Sequence, residues 1–299
     1  MFKWLLKFLQ LGVDTTTTTM TEAIPTIVGA ALLELEEGDV IGPLITNIPF
    51  PGPGVVHQTP KIAKLTAEAD DSSTAQAVDS GGYTGEASPS AATCGVHNAS
   101  VLLKDIASLG TVGDLAAIAG QLIGQCLITQ KEADLISIFT TLSTNQGTTA
   151  TSTNLAPADL YDAYGSLRGS YAPLPYNLVM GADLIWSSVG LISLFDNSAD
   201  AVQTQGLGTV GEDWARNGYA GMALGFSIFA DGNITADASY ISDGIAFSKA
   251  VAKNVIKRGF QIEVDRDITE VGTEIVGTDI RGEAILRQKH GNLMSFATT

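Results

Sequence analysis

The chain has 299 residues, enough for one large or two modest domains with a substantial hydrophobic core. Only 16% of the residues are charged, and the net charge of −16 argues against binding nucleic acid through its phosphates, which takes clustered Lys and Arg. The only two cysteines, Cys94 and Cys126, exclude a disulfide framework and a CxxC pair.

The N-terminal segment, residues 1–13, is basic and apolar, and a threonine run and a second methionine, Met20, follow it. Lys7 interrupts the apolar stretch and no small-x-small cleavage site follows, which argues against an export signal. Residues 1–19 are therefore predicted to be an N-terminal extension, or to result from a start codon assigned too early. No run in the chain reaches the ~18 apolar residues of a membrane span.

Residues 20–50 mix threonine, proline and aliphatic residues without a steady period, which predicts an extended arm with one helical turn near residues 24–35. Residues 51–104 contain two stretches of strand character, 55–66 and 93–103, around a polar tip rich in serine and glycine. This pattern predicts a long two-stranded hairpin. Because such a hairpin is at best marginally stable alone in water, we expect it to lie on a neighbouring copy of the chain.

A long helix is predicted from Asp114 to Leu142, because apolar residues recur there at helical spacing and Asp114 suits a helix N-terminus. Such a helix would be about 44 Å long at 1.5 Å per residue. Gly120 and Gly124 each cost about 1 kcal/mol relative to alanine in a helix interior. Their presence predicts close packing against another backbone.

A second unit is predicted to begin at Pro157, a residue that suits the first turn of a helix. A buried strand is expected at residues 176–180 and another helix at residues 182–194. Residues 219–230 have the pattern of one apolar strand that contains glycine.

Residues 245–257 are predicted to be helical, because Lys249, Lys253 and Lys257 recur every four residues. Their stripe is interpreted as a solvated helix face. The following residues alternate as strands, with glycines at the turns or bulges. The predicted strands are 260–266, 269–275 and 283–286.

The sharpest motif is a formal GxGxxG at Gly206–Gly211, followed after about twenty residues by Asp231. A dinucleotide site needs a buried strand before the glycines and a helix after them. The preceding residues are polar, and Gly218 and Gly221 make the following segment a poor helix. A glycine-rich surface loop is therefore the favoured interpretation.

No catalytic, cofactor or metal site is predicted. His57, His97 and His290 lie far apart, and no His/Cys/Asp cluster has metal-ligand spacing. No GxSxG turn supports a nucleophilic serine. The paired acids at Asp70–Asp71 and at Asp265 and Asp267 are interpreted as loop solvation and strand-end ion pairs.

The segment from Val271 to Arg287, VGTEIVGTDIRGEAILR, resembles the closing strands of tailed-phage major capsid proteins with the Hong Kong 97-type fold. The order of the predicted parts is similar to that family over residues 20–297. The resemblance implies an α+β fold with an N-terminal arm, an extended β-hairpin loop, a long spine helix in a peripheral domain and an axial α/β domain. The implied divisions are an N-terminal extension (1–19), the arm (20–50), the hairpin loop (51–104), the peripheral domain with the spine helix (105–155), the axial domain (156–257) and the closing strands of the peripheral domain (258–299).

The same resemblance implies a non-enzymatic subunit that self-assembles into pentamers and hexamers of an icosahedral head around double-stranded DNA. Its place would be the virion, and the host cytoplasm during assembly. The implied partners are other copies of the chain, a separate scaffolding protein and a portal, while the need for a decoration protein is left open. Packaged DNA would be contacted only non-specifically, and no membrane and no cofactor would be involved.

Four basic residues are candidate intersubunit contacts. Lys61 and Lys64 stand isolated in an acidic half of the chain, which favours ion pairs with the acids of a neighbouring subunit. Arg281 and Arg287 lie in the segment that resembles the capsid family. Some family members form a Lys–Asn crosslink, and Lys61 or Lys64 with Asn292 would be the pair here, although no motif fixes it.

Three alternatives are left open. An encapsulin-type nanocompartment keeps the fold but encloses cargo enzymes, and neighbouring genes would separate it from a phage capsid. A dinucleotide-dependent enzyme rests on Gly206–Gly211. An exported adhesin or surface-layer protein rests on the N-terminal segment and the threonine content.

Overall fold

The computed structural model describes residues 17–60, 90–104, 115–142, 155–186, 191, 219–223, 225–237 and 240–298. Within these ranges the helices are α1 (Thr17–Gly38), α2 (Leu115–Phe139), α3 (Pro157–Gly169) and α4 (Ala182–Trp186). Short 3-10 turns lie at Gly42–Leu44 and Gln288–His290. The strands are β1 (Thr46–Pro49), β2 (Val56–Thr59), β3 (Ser90–Thr93), β4 (Gly95–Lys104), β5 (Tyr176–Gly181), β6 (Tyr219–Ala223), β7 (Phe226–Asp231), β8 (Ile241–Ser248), β9 (Ala252–Asp267), β10 (Gly272–Ile285) and β11 (Gly291–Ala297).

The strands form two main sheets and one small ribbon. The four-stranded sheet has the order β1-β9-β10-β4, in which β1 runs parallel to β9 and the other pairs are antiparallel. The five-stranded sheet has the order β11-β8-β5-β7-β6, in which only the β5 and β7 pair is parallel. β2 and β3 form a separate antiparallel ribbon. The mixture of helices with mainly antiparallel sheets is the α+β class that the family resemblance implied.

Helices α1 and α2 pack on each other and cover one face of the four-stranded sheet. Ile27 of α1, Ile123 and Leu127 of α2, and Ile275 of β10 share this core. A Cβ atom built on Gly124 would lie 2.7 Å from the carbonyl oxygen of Ala31, so the two backbones touch there. The predicted close packing at the helix glycines is therefore confirmed, and the partner is a helix of the same chain.

The expectation of an extended arm with one helical turn at residues 20–50 is wrong in its secondary structure, because α1 is a helix of 22 residues. Threonine is a weak helix former and Pro25 lies inside the helix. The local helix propensity of this segment is therefore low, and the sequence did not indicate α1. Ile27 and Ala31 have no exposed surface. Burial of this face against α2 stabilises a helix that would be marginal alone.

The five-stranded sheet is covered on both faces. Helices α3 and α4 pack on one face, where Leu160, Leu184 and Tyr176 belong to the same core. The C-terminal half of α2 packs on the other face through Leu135 and Phe139. Helix α2 thus joins the two main sheets, which explains why so long a helix is needed.

The elements predicted at Pro157 and at residues 176–180 are confirmed as α3 and β5, whereas the single strand expected at 219–230 is two strands, β6 and β7. The predicted helix at residues 245–257 is wrong, because these residues belong to β8, a turn and β9. A spacing of four residues fits one face of a strand as well as one face of a helix, so the lysines misled the assignment.

The last strand, β11, lies in the five-stranded sheet beside β8, with Gly291 opposite Phe247. The sequence had grouped all of residues 258–299 with the closing strands of one domain. β9 and β10 do lie together in the four-stranded sheet. The C-terminal segment therefore completes both sheets.

Candidate functional site

The base of the predicted hairpin is fixed to the body of the chain by one buried lysine. In the β2–β3 ribbon, Thr59 lies opposite Ser90. Lys253 of β9 has no exposed surface, and its Nζ donates hydrogen bonds to Ser90 O at 2.7 Å and to Thr59 Oγ1 at 2.8 Å. A third hydrogen bond, 3.1 Å long, goes to His57 O. One side chain therefore holds both strands of the hairpin base.

The burial of Lys253 corrects the expectation of a solvated lysine stripe. Among the described residues Lys253 forms no ion pair, so neutral oxygen acceptors replace water around its ammonium group. Burial lowers the pKa of Lys253, because desolvation disfavours the charged form. Lys249 is exposed, as predicted, whereas Lys257 is half-buried and donates to Gly54 O.

Further contacts hold the hairpin base against the body. Ser90 Oγ donates to Ile285 O of β10 at 2.7 Å, and Cys94 N donates to Val55 O at 2.7 Å. The Phe50 ring packs edge-on against His57, with 5.2 Å between the centroids. The hairpin base is thus hydrogen-bonded to β9 through both of its strands and to β10 through β3.

Arg281 lies at the centre of a buried ion cluster between β10 and α2. Only 2% of its surface is exposed. Nη1 donates to Asp279 Oδ2 at 2.7 Å and Nε donates to Glu283 Oε1 at 3.0 Å. Nη2 lies 3.4 Å from Asp134 Oδ2 of α2. The guanidinium group is therefore used inside the chain, where it connects α2 to the four-stranded sheet, and this placement corrects the expectation that Arg281 faces a neighbouring copy.

Burial around Arg281 shifts the pKa values of Glu283 and His97. Burial raises the pKa of Glu283, although the positive charge of Arg281 opposes the shift. His97 Nδ1 lies 3.7 Å from Asp134 Oδ2, and burial together with Arg281 lowers the pKa of His97. The cluster thus relies on one guanidinium to balance three carboxyl groups.

Arg287 is exposed, and it lines a surface pocket of about 410 Å³. The pocket lies where the hairpin base meets the body, and it is lined by Thr59 of the base and by Tyr171 and His290 of the body. Burial lowers the pKa of His290, with Arg287 as a further cause. Of the four predicted contact residues, Arg287 is the one that the structure leaves on an accessible described surface.

Several predicted positions lie outside the described residues. These are Lys61, Lys64, the acid pair Asp70–Asp71 and the glycine motif Gly206–Gly211. Asp265 and Asp267 belong to the end of β9, where Asp267 Oδ1 accepts a hydrogen bond from Thr269 N at 2.8 Å.

The three histidines occupy three different places: the hairpin base, the Arg281 cluster and the Arg287 pocket. Within the described ranges, no group of three or more His, Cys, Asp and Glu side chains could hold a metal ion. None of the helices in the described part of the chain combines the length and apolar character that a membrane crossing demands.

Two features escaped the sequence analysis. Lys253 was mistaken for a surface residue, and its oxygen partners lie 163 to 196 residues away in the chain. Glu132 and Asp231 are buried acids on α2 and β7. A buried acid inside an apolar helix pattern was the only available signal, and it did not identify the partner.

No family model and no curated protein matches the sequence. Solved structures do match the fold. The capsid of cyanophage P-SCSP1u has a TM-score of 0.61 at 14% identity, covering 88% of this chain and 89% of that chain. The capsid of Ralstonia phage GP4 has a TM-score of 0.61 at 10% identity, covering 86% and 87%. The virus-like particle from Pyrococcus furiosus has a TM-score of 0.58 at 12% identity, covering 90% and 97%.

The chain has the Hong Kong 97-type capsid fold. The resemblance inferred from the closing strands and from the order of parts is thus confirmed at the level of the fold. In this capsid fold the hairpin base, the Arg281 cluster and the Arg287 pocket all lie near β9 and β10. Sequence identities of 10–14% are too low to carry the roles of individual residues across.

Proposed function

We propose that the chain is a capsid shell subunit that assembles with copies of itself into an icosahedral head, and that the head encloses the double-stranded DNA of a tailed phage. The observation that carries this proposal is the likeness to phage capsid chains over most of both lengths. Fold likeness over nearly a whole chain is stronger support than a shared motif, although a fold alone can host many functions. A structural role without enzymatic activity is part of the proposal.

The negative charge of the chain supports a role as the wall of a container for DNA. Its net charge of −16 disfavours tight binding to packaged DNA, so contact with the genome would be non-specific. The low share of charged residues, 16%, suits a subunit that covers much of its surface with other copies of itself.

The implied domain layout remains part of the proposal. The helix pair and the four-stranded sheet would form the peripheral domain, with α2 as the spine helix, and the five-stranded sheet with α3 and α4 would form the axial domain. Pentamers and hexamers, a separate scaffolding protein and a portal would be the partners. The subunit would act in the virion, after assembly in the host cytoplasm.

Charge pairing between subunits would involve Lys61, Lys64 and Arg287. Lys61 and Lys64 follow directly on the anchored hairpin base, and Arg287 lies beside that base. Reversing the charge of both lysines is expected to lower the yield of particles without changing the stability of the isolated subunit. Unchanged assembly of the double variant would remove both residues from the interface.

An encapsulin-type nanocompartment is the second candidate, favoured by the likeness to the Pyrococcus furiosus virus-like particle over 90% of this chain. The two candidates differ in what the shell encloses. Particles purified from the native source would contain double-stranded DNA in the first case and cargo protein without genomic DNA in the second.

Negative-stain electron microscopy after size-exclusion chromatography tests the shell function. The recombinant protein would be imaged alone and with a candidate scaffolding partner. Closed uniform shells, tubes or capsomer rings are the expected result, and their diameter would separate a phage head from a smaller compartment. A monodisperse particle of one or two chains under every assembly condition would overturn the proposal.

A further inference from the structure

Two buried carboxyl groups meet where the helix pair joins the five-stranded sheet. Glu132 lies on α2 and has no exposed surface, and Asp231 ends β7 with 1% of its surface exposed. The charge of Asp231 contributes to the raised pKa of Glu132, and a side-chain hydrogen bond with Glu132 opposes the rise in the pKa of Asp231, so the two carboxyl groups are neighbours. This contact links the helix pair to the sheet through two groups of the same charge type.

One oxygen of each group already has backbone donors. Glu132 Oε1 accepts hydrogen bonds from Val40 N at 3.0 Å and Ile41 N at 3.1 Å. Asp231 Oδ1 accepts one from Asn233 N at 2.8 Å. These bonds fix both side chains, so neither can turn away from the other without losing them.

The second oxygen of each carboxyl group has no hydrogen-bond donor among the described residues. No donor from the described residues reaches Glu132 Oε2 or Asp231 Oδ2, and both atoms are buried. As two carboxylates they would be neighbouring buried acceptors without donors, which is a costly arrangement inside a protein. A proton on one of them turns the pair into a donor and an acceptor.

We propose that Glu132 and Asp231 share one proton in the folded subunit, and that this proton acts as a latch between helix α2 and the five-stranded sheet. The proton is taken from solvent when the junction forms and returns to solvent when the junction opens. The proposal concerns the single subunit and does not depend on assembly into a shell.

The surrounding charges support the retention of this proton. Asp39 and Asp231 both act on Glu132, and Asp39 also hydrogen bonds with its carboxyl group. The two oxygens of Asp39 already accept from Gly42 N at 2.9 Å and from Lys131 Nζ at 2.5 Å, whereas Asp231 Oδ2 has no donor among the described residues. Burial, together with these two acids, raises the pKa of Glu132 from 4.5 to about 9. Burial also raises the pKa of Asp231. No cation among these groups is free to replace the proton.

The sign of the pH effect follows from the raised pKa. The folded subunit binds the proton more tightly than the unfolded chain, so its stabilisation is complete below the ordinary pKa of 4.5. The stabilisation falls as the pH rises and is lost once the pH passes about 9. The contact between α2 and the five-stranded sheet is therefore expected to weaken at alkaline pH.

Glu132→Gln tests the latch, because an amide donates to Asp231 at every pH without titrating. Between about pH 6 and 8, the unfolding equilibrium constant of the wild type relative to that of Glu132→Gln is expected to rise about tenfold per pH unit. The matched control is Glu270→Gln, at an exposed ion pair with Lys104, which should leave the wild-type pH dependence unchanged. A flat ratio for Glu132→Gln would overturn the proposal.

Infrared spectroscopy of the wild type provides a second test that does not need a stable variant. A protonated carboxyl band is expected at neutral pH, and it should disappear near pH 9. The band should persist in Glu283→Gln, which removes the other buried acid whose pKa burial raises. A wild-type spectrum without the band at neutral pH, or a band that Glu283→Gln abolishes, would refute the shared proton.

Discussion

Gly120 of α2 lies directly against the backbone of Ile27 in α1: a Cβ atom on Gly120 would stand 2.4 Å from the Ile27 carbonyl oxygen. Real Cβ atoms do not approach an oxygen so closely, and backbone on both sides leaves little room for adjustment. The glycine is therefore required by the packing of the two helices, not by a turn.

Gly120→Ala is expected to destabilise the subunit by about 1–3 kcal/mol through overpacking, although alanine is the better helix former. The matched control is Gly165→Ala in α3, where nothing lies within 4 Å of the added Cβ atom. That change should stabilise the subunit by about 0.4–1 kcal/mol. Chemical denaturation of the unassembled protein measures both values, and an equal gain from the two changes would contradict the packing argument.

Lys253→Met should loosen the hairpin base, because it keeps the apolar stem but removes the three hydrogen bonds of the ammonium group. Leaving buried acceptors without donors costs about 1–3 kcal/mol. Hydrogen exchange should accelerate in β2 and β3 more than in the five-stranded sheet. Lys249→Met, at an exposed position of the neighbouring turn, should change neither stability nor exchange. Unaltered exchange in β2 and β3 of Lys253→Met would show that the other contacts suffice.

Arg281→Met is expected to be the most damaging single change in the four-stranded sheet. It leaves three carboxyl groups near one another without a cation, and breaking a buried ion pair in this way costs about 3–5 kcal/mol. Lys104→Met, which breaks an exposed ion pair with Glu270, should cost about 0–1 kcal/mol. The midpoints of chemical denaturation of Arg281→Met and Lys104→Met, each relative to the wild type, measure the two losses of stability.

The Arg281→Met defect should also shrink as the pH is lowered from about 7 to about 4, because Glu283, whose pKa burial raises, becomes neutral and no longer repels the neighbouring carboxylates. A defect that stays constant over this range would mean that lost packing, and not uncompensated charge, destabilises the variant.

Arg287→Glu tests the one predicted contact residue that the structure leaves exposed beside the hairpin base. The variant subunit should keep its thermal stability but yield fewer closed particles, since a reversed charge meets the acids of an acidic neighbour. Lys289→Glu makes the same charge change at a nearby exposed position and serves as the control. Equal yields from both variants and the wild type would place Arg287 outside the interface.

Sequence reasoning succeeded where local pattern and tertiary role agree. The apolar spacing of α2 and the uniformly buried β5 identified the elements that span the two cores. It failed for α1, whose threonines and Pro25 disfavour a helix until α2 covers it. Only the contact with α2, which is remote in sequence, could have revealed this helix.

The candidate sites were less predictable than the fold. Arg281 was singled out, but for a role between subunits rather than within one. Lys253 was assigned to a solvated helix face, because a four-residue spacing suits one face of a helix and one face of a strand equally well. Glu132 gave no sign of Asp231, 99 residues farther along the chain. Such pairings depend on tertiary contacts that no local window contains.

The parallel pairing of β1 with β9 joins Asn47 to Asn254, two residues that are 207 positions apart. β11, at residues 291–297, likewise completes the other sheet. Contacts so distant in sequence slow folding, and neither sheet can close on the ribosome before the C-terminal strands have been synthesised. A growing chain thus keeps open sheet edges until β11 has been synthesised. A chaperone would have a long period in which to shield these edges, and premature association between nascent chains would compete with folding.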